Sequence, residues 1–413
     1  MTKELGYHVQ NQRQLAGMTQ EELAHAAGLS PSTVRKLEQG GSVRMETLHM
    51  LARALGTETS ALMTPGSPEP KEVNDAHSIR VMELRKVLLP PIGLGAPFPP
   101  TGEEPNLRNL RNVTRVVTRS YFEDDYSKLA DKLPDLMRDV NSAVAYFGHG
   151  PEHEEALAIR IEALRMAGRY LTQVREDDLA YQALSRLISD AQALGRSLDA
   201  AAGISSMCWL FLRQARFTES TAMATSIADE IEPPKISKAS ADHLATWGWA
   251  YLRAVAGAVR NNQYDIAEEA LRMARSAATA IGREVQGAHQ AGVSFGPVTT
   301  AMIDIEVSMA KGDARSVLEN ADKGVLSYKA RQKLGTPHRN GWNRHRLDVA
   351  MAKQRLGLHQ EATMELRRIM GSSPDWLAHQ RMAKDIMRDL YRKRKRALTS
   401  EMREVGAFLA LDR

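Results

Sequence analysis

Residues 31–40, PSTVRKLEQG, place four polar side chains on one face of a short helix. At about 100° per residue with Val34 at zero, Ser32, Arg35, Gln39 and Lys36 fall near 160°, 100°, 140° and 200°, while Val34 and Leu37 point near 330°. The polar stripe therefore lies opposite the apolar pair. The planar fork of Arg35 matches two neighbouring acceptors such as O6 and N7 of guanine, a contact that discriminates between bases by roughly 1–3 kcal/mol. Lys36 and Arg44 are cations suited to phosphates, which give salt-dependent affinity and carry no sequence information. A stripe of this kind is also what any solvated helix displays, so its meaning depends on the elements that hold it.

Those elements are punctuated clearly. Thr19 followed by Glu22 forms a capping box that opens a helix running to about Ala27, and Gly28 stops it. Ser30 caps the next helix, with Pro31 at its first position, where a missing N–H costs nothing, and Gly40 ends it. Two capped helices across a three-residue turn make a helix-turn-helix arrangement whose second helix carries the stripe.

Residues from about Leu5 to Met63 resemble the phage-repressor-like helix-turn-helix family called XRE. The resemblance rests on Arg13, on Gly17-Met18-Thr19-Gln20-Glu21-Glu22-Leu23-Ala24, on Gly28-Leu29-Ser30, on Val34-Arg35-Lys36-Leu37-Glu38-Gln39-Gly40, and on Leu48, Leu51, Ala52 and Leu55. It implies double-stranded DNA as a partner, with an inverted-repeat operator read by a homodimer. It also implies that Gln20 contacts a phosphate, that Ser32 and Arg35 face base edges, and that Lys36 or Arg44 meets the backbone. Thr33 and Gln39 complete the candidate contact set. The family pairs an arginine of the first helix with the glutamate near the end of the recognition helix, matched here by Arg13 and Glu38. Pro31 replaces a polar residue often found at its position and removes one base contact.

After Met63 the run TPGSPEPKE breaks any helix and marks a linker over 65–106. Within it Asp75–Leu89 reads as a short helix ended by Pro90-Pro91, either packing between domains or subunits or propping the C-terminal domain. From 107 to 413 the pattern is helix after helix, with no convincing strand. Polar or glycine-containing turns are followed by a small residue at 180, 220, 267, 314 and 362, a spacing of 40 to 48 positions that suits stacked helix pairs. The fold class expected is all-α: a five-helix N-terminal domain over 1–64, then a tetratricopeptide-like right-handed helical solenoid with a concave face. Phe295-Gly296-Pro297 before a helix, together with the head, resembles regulators with an XRE head and a tetratricopeptide-like body. That resemblance implies a short peptide, a small molecule or a partner protein in the groove. An asparagine that often follows the Gly-Pro pair in such regulators is absent, since Val298, Thr299 and Thr300 stand there. On the presumed inner helices Trp247, Trp249, Arg253, Asp304, Asn343 and Arg344 are the candidate ligand contacts. The two tryptophans point about 200° apart, so at least one belongs to the core.

The 413 residues, 43% of them hydrophobic, suffice for two or three domains, and the net charge of +5 permits nucleic-acid binding without establishing it. The segment 1–70 is balanced in charge, and the basic run Arg392–Arg396 reads as a solvated helix end. Cys208 is expected to be a buried thiol, and His338 and His345 surface residues. No nucleotide loop, zinc spacing or catalytic constellation is present, so neither an enzyme nor a cofactor is expected. No signal segment or membrane span is read, and a cytoplasmic location is expected. The rival reading is an interaction module whose repeats capture a partner protein, with DNA binding secondary.

Overall fold

The computed structural model describes residues 2–41, 43, 45–57, 62, 76–90, 103–286, 293–393 and 398–411. The chain divides into two compact units, 1–79 and 80–413.

In the N-terminal unit, helices α1 (Thr2–Leu15), α2 (Gln20–Ala27), α3 (Pro31–Glu38) and α4 (Met45–Ala54) surround a core of Val9, Leu23, Ala24, Val34, Leu37, Leu48, Leu51 and Leu62. Most of the segment expected to form a fifth helix, around Leu62, lies outside the described residues. The punctuation acts as its chemistry requires. The Glu22 amide donates to Thr19 Oγ1 at 3.1 Å and the Thr19 amide to Glu22 Oε2 at 2.7 Å, while Gly28 ends α2 at φ 66°. Ser30 Oγ accepts the Thr33 amide at 3.3 Å, with Pro31 beside it in the first turn. Gly6 allows α1 to cross the end of α3, because a Cβ there would lie 2.3 Å from the Leu37 carbonyl oxygen.

The body begins with α5 (Ala76–Leu88), whose Val81, Leu84, Val87 and Leu88 enter its core, while Arg80 pairs with Asp131 at 2.5 Å and Arg85 with Glu176 at 3.4 Å. This helix therefore props the body. Helices α6 (Leu107–Phe122), α7 (Tyr126–Phe147), α8 (Pro151–Val174), α9 (Asp177–Ala193), α10 (Ser197–Arg213), α11 (Phe217–Glu230), α12 (Ala241–Arg260) and α13 (Tyr264–Ile281) follow, and from α7 on each packs on the one before. The recurrent small residues Ala180, Ser220, Ala267, Ala314 and Ala362 are all buried, at 0, 0, 1, 6 and 0% exposure, which lets neighbouring helices approach closely. A turn residue with left-handed backbone stands five positions before four of them, at Arg175, Ala215, Asn262 and Gly357.

A two-residue antiparallel pair, Val285–Gln286 with Ser294–Phe295, interrupts the helices where none was expected from sequence. It is a strap rather than a sheet. Phe295 is fully buried against Gly248, where a Cβ would lie 2.0 Å from its ring, and Pro297 opens α14 (Pro297–Ala310). Glu284 caps that helix from outside, accepting the Val298 and Thr299 amides at 2.8 and 3.0 Å. Helices α15 (Ala314–Asn320), α16 (Tyr328–Leu334), α17 (Arg339–Arg355), α18 (His359–Ser372), α19 (Pro374–Ala378), α20 (Arg381–Lys393) and α21 (Ser400–Phe408) complete the array. Its later helices return to its earlier ones: the Phe122 and His338 rings are 4.4 Å apart, and one continuous core holds Leu133, Leu164 and Leu184 together with Leu347, Leu366 and Leu390. The molecule is all-α, a helix-turn-helix head followed by a helical-repeat body.

Candidate functional site

The polar face of α3 is built from within. Val34 and Leu37 are fully buried, which turns Ser32, Arg35, Lys36 and Gln39 to solvent and leaves Thr33 half-buried. Ser30 Oγ lies 2.8 Å from both Ser32 Oγ and Thr33 Oγ1, so the hydroxyls at the start of the helix form one cluster. Arg13 donates from Nε and Nη2 to the Glu38 carboxylate at 2.7 and 3.0 Å, and from Nη1 to the Met18 carbonyl at 2.8 Å. The side chains are 11% and 3% exposed, and the bond to Glu38 raises the Arg13 guanidinium above its usual value. The pair thus ties α1, the turn before α2, and the end of α3 together.

Gln20 extends this arrangement to the surface. Its Nε2 donates to Glu38 Oε2 at 2.7 Å, and its Oε1 accepts from Arg35 Nε at 3.5 Å. The amide therefore points its oxygen at Arg35 because Glu38 holds its nitrogen. Arg35 also lies 3.8 Å from Glu21, both side chains being more than half exposed. These long, solvated contacts aim the guanidinium yet are weak enough to be exchanged for a stronger acceptor. The sequence signal for the Gln20 link was the i-to-cap placement of Gln20 beside the capping box, but its bridging role needs the fold. Arg44 lies outside the described residues.

The body holds a half-open cavity of about 600 Å³, within the size range of sites that take small ligands. Seven arginines (Arg169, Arg175, Arg213, Arg253, Arg260, Arg344 and Arg381) and three carboxylates (Glu306, Asp348 and Asp385) line it, together with Trp209, Trp249, Met302 and other apolar groups. Glu306 is already engaged, pairing with Arg260 and, at 3.3 Å, with Arg344, which also reaches Asp348 at 2.9 Å. Burial opposes ionisation of Glu306, but the two guanidinium groups outweigh it and hold the carboxyl below its usual range. Arg253 stacks 5.0 Å from the Trp249 ring centre and Arg213 lies 5.4 Å from that of Trp209. Burial pulls Arg169 and Arg213 each down to about 10, with neighbouring arginines adding to the effect.

Of the candidate ligand residues, Trp249, Arg253 and Arg344 are brought to this cavity. Trp247 is core, fully buried with Nε1 donating to the Ala228 carbonyl at 3.1 Å, whereas Trp249 donates to the Ser294 carbonyl at 3.1 Å from the cavity wall. Asp304 and Asn343 are not brought there: Asp304 pairs with Arg275 at 2.6 Å on the surface, and Asn343 is buried, donating to Ser373 Oγ at 2.9 Å. The surface reading of the two histidines is overturned. His345 is 2% exposed with Nε2 against the Ala321 carbonyl at 2.9 Å, and His338 is half-buried beside Phe122 in the cavity lining. Burial lowers both to about 4. Cys208 is a fully buried thiol, raised by burial to about 11. Arg392 and Lys393 pair with Asp389 at 2.9 Å on an exposed helix end, and residues 394–397 lie outside the described residues. No helix among the described residues is long and apolar enough to cross a membrane, and no group of metal-binding side chains occurs among them.

Comparison with known proteins bears on the head. A family model described as helix-turn-helix matches residues 9–62. Neither the curated proteins nor the solved structures give a match to the chain. The matched segment spans the helices carrying the capping box, the left-handed Gly28 and the Arg13–Glu38 pair. The chain is in general terms a DNA-binding transcription regulator, and its N-terminal domain is an XRE-type helix-turn-helix DNA-binding domain.

Proposed function

We propose that this protein is a sequence-specific regulator that binds an inverted-repeat operator as a homodimer and is controlled by a peptide or small ligand held in the repeat domain. The observation that carries the DNA-reading part is the relay from Arg13 and Glu38 through Gln20 to Arg35, which aims one guanidinium out of the recognition helix. Arg35 is the base-reading residue, with Ser32 and Thr33 beside it, and Lys36, Gln39 and Arg44 supply backbone contacts. Two such heads reach half-sites about 34 Å apart, or multiples of that distance, only when held in a fixed relation. A ligand that favours one arrangement of the subunits changes operator affinity by its differential affinity for the two arrangements. The arginine-rich cavity of about 600 Å³, a size that suits a small ligand, supports ligand control.

Selection of genomic DNA fragments by the purified protein at two salt concentrations tests this reading. A shared inverted repeat that disappears with Arg35→Ala is the expected result. Salt-sensitive binding without sequence preference, equal in Arg35→Ala, would sink it.

A further inference from the structure

Helix α8 is buried on nearly all sides, yet carries three arginines, and the fold treats them differently. Arg160 makes a two-point contact with Asp190 at 2.8 and 2.7 Å. Arg165 pairs with Asp199 at 2.8 Å and Glu162 at 2.7 Å. Arg169, 5% exposed, faces the cavity with no carboxylate in reach among the described residues, and its Nη1 has no hydrogen-bond partner. One turn on, Gln173 is 2% exposed with Nε2 unpartnered, and the Arg213 that reaches Gln173 Oε1 at 3.5 Å leaves its own Nε unpartnered. Arg253 offers one long bond, 3.4 Å, to the Ser205 hydroxyl.

A fold that neutralises two of three arginines on one helix, and leaves the third against a cavity, has kept a cation for something that enters. Unpaired buried charge is costly, and the donors left open are all hydrogen donors. We propose that Arg169, Gln173 and Arg213, with Arg253 beside them, seat the anionic head of a small ligand, a carboxylate or a phosphate, whose apolar stem lies along Trp209, Trp249 and Met302. The two-point geometry of guanidinium groups suits either oxyanion. Glu306, although near enough to Arg253 to act on it, is engaged by Arg260 and Arg344, and Asp348 by Arg344, so neither carboxylate pairs with Arg169 or Arg213. This assignment rests on the proposed role of the body as a ligand-receiving domain and names the chemistry of what it receives.

The test uses the full chain with octyl phosphate, octanoate and the uncharged octanamide, measured by titration calorimetry and by thermal melting. Saturable binding of one or both anions, with octanamide weaker by roughly tenfold or more, is expected from the loss of charge-assisted hydrogen bonds. Preference for octyl phosphate or for octanoate identifies the head group. Arg169→Met is expected to melt higher than the parent when unliganded and to lose anion affinity by at least about tenfold. A purely structural arginine would lower the melting temperature instead. Should Arg169→Met not fold, Arg213→Gln gives the affinity readout. Octanamide binding as tightly as the anions, no saturable anion binding, or undiminished affinity in the variants would overturn the assignment. Loss of anion binding leaves the operator selection untouched, whereas anion binding that leaves operator affinity unchanged keeps this site and removes ligand control from the function.

Discussion

Replacing Glu38 with glutamine tests how the head is held. In the parent, the Glu38 carboxylate accepts three hydrogen bonds, from Arg13 Nε and Nη2 and from Gln20 Nε2, at 2.7, 3.0 and 2.7 Å. Glu38→Gln keeps the shape but leaves the Arg13 guanidinium, only 11% exposed, without its counter-charge. Breaking a buried pair on one side costs about 3–5 kcal/mol; the bond Arg13 keeps to the Met18 carbonyl places the expected loss near the lower end, about 3 kcal/mol. That is a large share of the stability of a domain this small. Arg13→Met should cost a similar amount, and Arg13→Met with Glu38→Leu less than the sum by a coupling of about 2 kcal/mol. Because the chain has two units and need not unfold in one step, native-state hydrogen exchange of amides in α1 and α3 is the proper assay. Singles that each cost under about 1 kcal/mol and add in the double variant would refute the picture of a buried pair that fastens the recognition helix.

Other outcomes follow from equally local features. Arg35→Ala should relax base preference at one position of the half-site, by roughly 1–3 kcal/mol of discrimination, whereas Lys36→Ala should weaken all sequences alike and flatten the salt dependence; binding measured on operator and random DNA over a salt series separates the two. Gly248→Ala should destabilise the body by about 1–3 kcal/mol, because the added Cβ would meet the Phe295 ring at 2.0 Å; an unchanged melting temperature would show that the strap gives way freely. His345 is held neutral, its pKa pushed from 6.5 down to about 4. Its contribution is therefore complete above pH 6.5 and is lost as the pH falls towards 4, since the unfolded chain takes up the proton first. The full loss is about 3 kcal/mol, and a variant without the imidazole, His345→Gln, should show a flatter decline in stability over that window.

What was legible in the chain was whatever acts over one or two helical turns. Thr19 with Glu22, Ser30 with Pro31, and Gly28 declare the head because capping is local chemistry. Ala180, Ser220, Ala267 and Ala362, each five positions after a left-handed turn residue, and Ala314, two positions after Gly312, mark the repeats because a residue must be small where helices touch. The cavity was legible only in pieces. Trp249 and Arg253 could be placed on an inner face, but Asp304 and Asn343 share similar local surroundings and turn elsewhere. Arg169 and Arg213 went unnoticed because their distinction is the absence of a partner, which depends on helices far away in sequence. One signal was available: a long helix apolar on most sides with arginines at 160, 165 and 169 needs three acceptors. His345 looked like a surface residue because its partner, the Ala321 carbonyl, belongs to a helix end that no periodicity reveals.

The meeting of early and late helices sets the order in which the body can be made. An open array of repeats folds from any point and frays from its ends, since each unit touches only its neighbours. Here the contact between Phe122 and His338 joins residues more than 200 positions apart, and the core that holds Leu133 also holds Leu390. Closing so long a loop is entropically costly and slow compared with pairing adjacent helices. During synthesis, the helices carrying Arg169, Arg213 and Arg253 stand complete before α17, which brings Arg344, has left the ribosome. The cavity thus comes into existence only at the last stage of folding, and a chain truncated in its final helices should retain most of its helical content while losing the wall that Trp376, Arg381 and Met382 contribute.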